Sequence, residues 1–151
     1  MRLPVLFLIA ASAVFAAPPD FSGNWKLDPG KSEFGEFPKP SSMTVKVAHA
    51  EPKLTVDLKI AGEMGEFEFT SNYTTDGKEC TNQGPGGSEV KSTVRWDGET
   101  LLIDSKGAFG ETAYVAKEKW SLAEDRKTLT VVRHFSSSMG ELDQKVVMQK
   151  E

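Results

Sequence analysis

Leu54, Val56, Leu58 and Ile60 alternate with Thr55, Asp57 and Lys59. In an extended chain successive side chains point to opposite faces, so this run divides cleanly into an apolar and a polar side. Wound as a helix, the same residues would scatter around the axis. The stretch is therefore a strand with one buried face. The rhythm continues on both sides: Met43, Val45 and Val47 come before it, and Phe67, Phe69 and Tyr73 after it. Later groups are Val90, Val94, Trp96; Leu101, Ile103; Tyr114, Trp120, Leu122; Leu129, Val131, Phe135; and Leu142, Val146, Met148. Trp25 and Leu27 add one more near the start. Gly, Asp, Asn and Pro clusters interrupt them about every 8 to 12 residues, as in sequential hairpins. Asp76-Gly77 and Asp97-Gly98 suit two-residue turns, since Gly takes positive φ freely and Asp tolerates it.

An open sheet of that many strands exposes two edges, whereas curling until the ends pair removes them. The expected fold is all-β, an antiparallel up-and-down meander barrel of about eight to ten strands. A two-sheet sandwich is the alternative, but it needs longer crossovers than these short links. A length of 151 residues fits one compact domain. Asp28 to Pro40, with Pro29, Gly30, Gly35, Pro38 and Pro40, opposes a sustained helix and reads as an irregular flap. Asn82 to Gly87 reads as a second loop.

Residues 1–16 read as an export leader: Arg2, an apolar stretch from Val5, then small residues at Val14-Phe15-Ala16 for cleavage. Residues 17–151 form the expected single domain, secreted or periplasmic. No later stretch reaches the length of a transmembrane segment. The net charge of -4 argues against nucleic-acid binding. Cys80 is the only cysteine, so the fold rests on packing and ladders rather than an internal disulfide. His49 and His134 fall on faces of opposite parity, and no metal-binding spacing occurs, so neither metal nor cofactor is expected. Gly84-Pro85-Gly86-Gly87 lacks the ending of a phosphate loop, and no Gly-x-Ser-x-Gly elbow appears; no enzyme is expected. Asn72-Tyr73-Thr74 fits an N-glycosylation acceptor, with Asn72 pointing outward.

Phe21-Ser22-Gly23-Asn24-Trp25-Lys26-Leu27-Asp28 resembles the first-strand G-x-W signature of lipocalins and related calycins. The chain is also similar to small secreted bacterial proteins that begin FSG-x-WKL and carry a lipocalin-like domain. The resemblance implies a barrel whose base is closed by Trp25 packed against an arginine from a late strand, for which Arg133 is the matching residue. In fatty-acid-binding proteins an inward arginine and tyrosine two residues apart clasp a ligand carboxylate. Here Arg133-His134-Phe135 retains only the arginine.

Parity places several polar residues on the apolar face: His49, Ser71, Tyr73, Ser92, Ser105, Glu118, Arg133 and Gln144. A core that bound nothing would favour Leu, Val and Phe, because each unpaired buried polar group costs about 1 to 3 kcal/mol. Two functions follow. In one, the barrel binds a small hydrophobic or amphipathic ligand, anionic if Arg133 anchors it. Trp25, Phe67, Phe69 and Tyr73 would be walls, and Glu118 would face Arg133 as an ion pair or ligand contact. In the other, a filled barrel meets a protein or envelope component through its loops. An open pocket lined by Arg133 and Tyr73 favours the first; Arg133 stacked on Trp25 favours the second.

Overall fold

The computed structural model describes residues 16–151, so the leader assignment, Ala16 apart, lies outside the described residues. Ten strands follow one another as a meander. They are β1 (Gly23–Leu27), β2 (Ser42–Ala50), β3 (Lys53–Gly62), β4 (Gly65–Thr74) and β5 (Glu79–Gln83), then β6 (Glu89–Asp97), β7 (Thr100–Phe109), β8 (Thr112–Leu122), β9 (Thr128–Ser137) and β10 (Gly140–Lys150). Every paired strand runs antiparallel, and β10 returns to pair with β1, giving the order β4-β3-β2-β1-β10-β9-β8-β7-β6-β5. Along β2 and β3 the alternation sets the register: Val45 faces Leu58 and Val47 faces Val56, all turned inward. Among the described residues, no helix is long and apolar enough to cross a membrane.

The curled sheet is nearly closed, not fully closed as expected. β4 and β5 form its two edges and share no ladder. At this seam Asn82 uses its side-chain amide as a surrogate peptide: Oδ1 accepts the Asn72 N–H at 2.8 Å, and Nδ2 donates to the Asn72 carbonyl at 3.1 Å. Cys80 Sγ accepts the Thr74 N–H at 3.3 Å. The side chains thus satisfy part of the β4 edge, whose unpaired groups would otherwise invite another strand.

β5 itself was not expected, since Glu-Cys-Thr-Asn-Gln offers no apolar alternation, and it claims Asn82 and Gln83 from the anticipated loop. Asp76-Gly77 turns the chain but does not join a hairpin. The Gly77 N–H bonds the Val94 carbonyl of β6 at 2.9 Å, carrying the turn past β5. The other expected turn is shifted by one residue. Asp97 pairs with Thr100, leaving Gly98-Glu99 as the two-residue loop, with Gly98 at φ 61°. A glycine with positive φ in the first loop position matches the right-handed twist of the flanking strands.

Gly107 on β7 lies opposite Tyr114 on β8, and the phenol lies across it. A Cβ at position 107 would stand 2.6 Å from Tyr114 Oη and 2.7 Å from Cζ. Gly107→Ala should therefore displace the ring and lower stability by about 1 to 3 kcal/mol. Urea unfolding should show this as a lower midpoint with an unchanged slope.

Candidate functional site: the barrel interior

The hairpins β3–β4, β5–β6, β7–β8 and β9–β10 surround one end of the barrel. Asp28 to Pro40 crosses that end as an irregular flap, pinned by the Glu33–Lys145 bridge to β10. Its prolines and glycines keep it from a helix, as expected. Beneath it lies a cavity of about 240 Å³ lined by Phe34, Phe37 and Pro40 of the flap, Leu58, Phe67 and Arg133 among others. A second cavity of about 310 Å³ includes Phe69, Ser71, Tyr73, Ser105, Glu118 and Arg133 in its wall. Leu58, Arg133 and Phe135 line both. Arg133 thus stands at the waist between a greasy compartment under the flap and a more polar one within the strands.

Its position follows from the ladder. Arg133 lies directly opposite Glu118 on one side and Gln144 on the other, and all three share the inner face. Arg133 Nε donates to Glu118 Oε1 at 2.7 Å, and Trp120 Nε1 donates to Glu118 Oε2 at 2.9 Å. An Arg133 Nη1 group reaches Gln144 Oε1 at 3.4 Å, while Gln144 Nε2 reaches the Phe34 carbonyl of the flap at the same distance. A guanidinium carries five N–H donors. Two are engaged here, so the outer nitrogens retain donors with no protein acceptor among the described residues. Glu118 holds the guanidinium through one oxygen only, leaving its fork-shaped end open to the cavity.

Tyr73 faces the same network. Desolvation pushes its phenol up to about 12, with the nearby Glu118 charge adding to the effect and a Ser71 hydrogen bond opposing it. Burial also raises Tyr114. The folded state therefore favours the protonated Tyr73 phenol. That contribution to stability is fully present below the ordinary value of 10 and declines as pH rises towards about 12. The tyrosinate absorbance of Tyr73, isolated as the difference from Tyr73→Phe, should appear only well above pH 10 in the folded protein, and the urea midpoint should fall across the same interval.

Five of the six expected ligand residues meet at these cavities. Phe67 lines the flap compartment, Phe69, Tyr73 and Glu118 line the inner one, and Arg133 lines both. Phe67 and Phe69 stack at 6.3 Å. Trp25 does not join them: it is fully buried at the opposite, closed end and lines neither cavity. Nor does Arg133 pack on it. Lys150, the cross-strand partner of Trp25, lies over its ring at 5.6 Å instead. Since β9 and β10 are antiparallel, Arg133 in mid-strand and Lys150 at the end of β10 belong to different levels of the barrel.

The closed end is built around a residue that parity did not single out. Phe21 is fully buried, with Trp96 and Trp120 rings each 5.9 Å from its own. His49 is inward as expected but belongs to this plug. Its Nδ1 accepts the Phe21 N–H at 3.2 Å and its Nε2 meets Glu51 Oε1 at 2.7 Å. Ser92 and Ser105 hydrogen-bond each other at 2.7 Å, which satisfies them within the wall. His134 points outward to Asp143, and Cys80 is half-buried at the seam. Among the described residues no cluster of three or more His, Cys, Asp or Glu side chains could hold a metal. Phe34 and Gln144 give the site its link to the flap. Gln144 was visible by parity, whereas nothing in the local sequence marks the Phe34 carbonyl.

Ten antiparallel strands in a nearly closed meander place the chain in the fold class of calycin-like barrels, which lipocalins and fatty-acid-binding proteins share. No family model and no curated protein matches it. Among solved structures it is similar to zebrafish ileal bile acid-binding protein complexed with cholic acid, with a TM-score of 0.64 and 16% identity over 87% of this chain and 98% of that one. Secretory abundant heat soluble protein 4 of Ramazzottius varieornatus gives 0.60 and 17% identity over 92% and 99%. The fatty-acid-binding protein of Manduca sexta gives 0.56 and 20% over 86% and 99%. At these identities the likeness is one of fold.

Proposed function

We propose that this chain is a binding protein, not an enzyme, that takes up a small amphipathic molecule bearing a carboxylate or similar acceptor. The observation that carries the reading is the Arg133 guanidinium between two adjoining cavities that share it as a wall, with free N–H donors inside largely apolar walls. Apolar pockets with a few placed polar groups are the usual form of a small-molecule site. The polar end of the ligand would meet Arg133, and its apolar body would lie under Phe34, Phe37 and Phe67. The neighbours named for bile-acid and fatty-acid binding lend this reading support by analogy of fold. The open cavities favour it over a filled interaction module.

Export is part of the same proposal and rests on the leader-like residues 1–16 and on the FSG-x-WKL resemblance to small secreted bacterial proteins. Titration with dodecanoate, followed by isothermal calorimetry and Trp fluorescence, tests the binding reading. Saturable one-site binding of dodecanoate, tighter than dodecanol, is expected. Absence of binding by either compound overturns it.

A further inference from the structure

The open end of the barrel differs from the rest of the surface. Hairpin tips are ordinarily polar, because Gly, Asn, Asp and Ser satisfy turn geometry and face water. Here the β3–β4 tip carries Met64, 70% exposed, and the β9–β10 tip carries Met139, 85% exposed. Phe109 at the β7–β8 turn and Phe37 on the flap are also about half exposed. These residues share one face. Phe37 and Met64 border the flap compartment, while Phe37, Phe109 and Met139 border an adjoining groove of about 480 Å³. Contiguous exposed apolar surface of this kind marks an interaction site more often than an ordinary solvent face.

Each apolar tip has an acid beside it: Glu36 next to Phe37, Glu63 next to Met64, Glu111 two residues after Phe109, and Glu141 two residues after Met139. All four glutamates are exposed, and none has a cationic partner within ion-pair distance among the described residues. Several acids of the outer wall are matched, as in Lys59–Glu68, Lys91–Glu89 and Arg95–Asp104. Glu99, Glu124 and Glu151 at the closed end are as unmatched as those of the mouth, but among the described residues no large exposed apolar side chain accompanies them. The cation nearest these tips in sequence, Lys39 of the flap, turns its ammonium onto the Pro29 carbonyl at 2.8 Å.

We propose that this face docks a protein partner whose surface is apolar and basic. Unmatched glutamates around exposed methionines complement such a surface in charge, and methionine adapts to irregular apolar contacts. A bilayer is the less favoured occupant. Anionic headgroups would be repelled, and the β3–β4, β7–β8 and β9–β10 turns hold no Trp, Tyr, Lys or Arg side chain of the kind that anchors proteins at a membrane interface. Tyr114 in the groove is stacked under Phe109 instead. A partner seated here would cover the barrel mouth. The inference stands on exposure and charge and does not depend on the identity, or existence, of an internal ligand.

The test uses a helical Leu/Lys amphipathic peptide as probe, with a matched Leu/Glu peptide and phosphatidylcholine vesicles for comparison. Binding is read by calorimetry and by NMR shift mapping on the protein of residues 17–151. The Leu/Lys peptide should bind with shifts confined to the mouth. Glu63→Lys/Glu111→Lys/Glu141→Lys should weaken it about tenfold or more, and Met64→Ser/Met139→Ser should weaken it comparably. Glu99→Lys/Glu124→Lys/Glu151→Lys, an equal change of charge at the closed end, should leave it nearly intact. Equal weakening by the closed-end variant would reduce the effect to net charge and overturn the proposal. So would binding of the Leu/Glu peptide, no binding of the Leu/Lys peptide, or mouth-specific binding of the vesicles. All substituted side chains are exposed, so unchanged near-ultraviolet circular dichroism should show that the fold survives.

Discussion

Replacing Arg133 with Leu should lower affinity for dodecanoate by about 10- to 100-fold and leave dodecanol nearly unaffected, because hydrogen bonds to a charged group contribute about 1.5 to 3 kcal/mol. The converse substitution should act with opposite sign. Glu118 neutralises the guanidinium in the free protein at 2.7 Å, so an incoming carboxylate gains hydrogen bonds but little net Coulomb attraction. Glu118→Gln removes that competing charge and should tighten dodecanoate binding by about three- to tenfold, again with little effect on the alcohol. Arg133→Leu alone leaves Glu118 with only the Trp120 indole, in a site where its side chain is 17% exposed, so some loss of stability accompanies the loss of binding. The Arg133→Leu/Glu118→Gln double variant removes both charges. It should regain stability and stay as weak for dodecanoate as Arg133→Leu. Calorimetric titration of the four proteins with both compounds decides the matter. If Arg133→Leu binds dodecanoate as the parent does, the anchor lies elsewhere.

The Glu118–Arg133 pair is legible in the sequence because side-chain parity is a local property of a strand. Glu118 shares parity with Trp120, and Arg133 with Val131 and Phe135, so the inward face of either strand determines where its charge points. The register then places the two directly opposite. The same reasoning located Tyr73, Ser105 and Gln144 on the inner face. It failed where position depends on which end of the barrel a residue occupies, since alternation specifies a face but not a level. Trp25 faces inward, yet it lies below the cavities, and its cationic neighbour is Lys150 rather than Arg133. β5 escaped because a short polar edge strand has no apolar face to betray it, and the seam escaped with it. Asn82 supplies there, through its side chain, bonds that a ladder would have supplied through peptides. Phe21 escaped for a third reason. It precedes the first strand, and no periodicity governs a residue that folds back to plug an end.

Phe21→Ala should be the most destabilising single change at the closed end, costing about 3 to 5 kcal/mol, the range for truncating a buried phenylalanine whose surroundings cannot collapse. Collapse is restricted here because the rings around Phe21 are held by their own hydrogen bonds. Trp96 Nε1 donates to Glu51 at 3.0 Å, Trp120 Nε1 to Glu118 at 2.9 Å, and His49 Nε2 meets Glu51. The backbone of residue 21 is engaged as well: its carbonyl accepts Trp25 Nε1 at 2.9 Å, and its N–H is held by His49. Those two bonds survive truncation only if the segment stays docked without its ring. Urea unfolding should therefore show a large fall in midpoint, while hydrogen exchange should show faster opening at residues 21 to 25 than at β8 and β9. A fall worth less than about 1 kcal/mol would mean that the segment before β1 contributes little to closing the barrel. Because Trp120 touches Phe21 on one side and Glu118 on the other, loosening the plug should also reach the ligand anchor. That second effect should be small beside Arg133→Leu, since the guanidinium keeps its own bonds to Glu118 and Gln144.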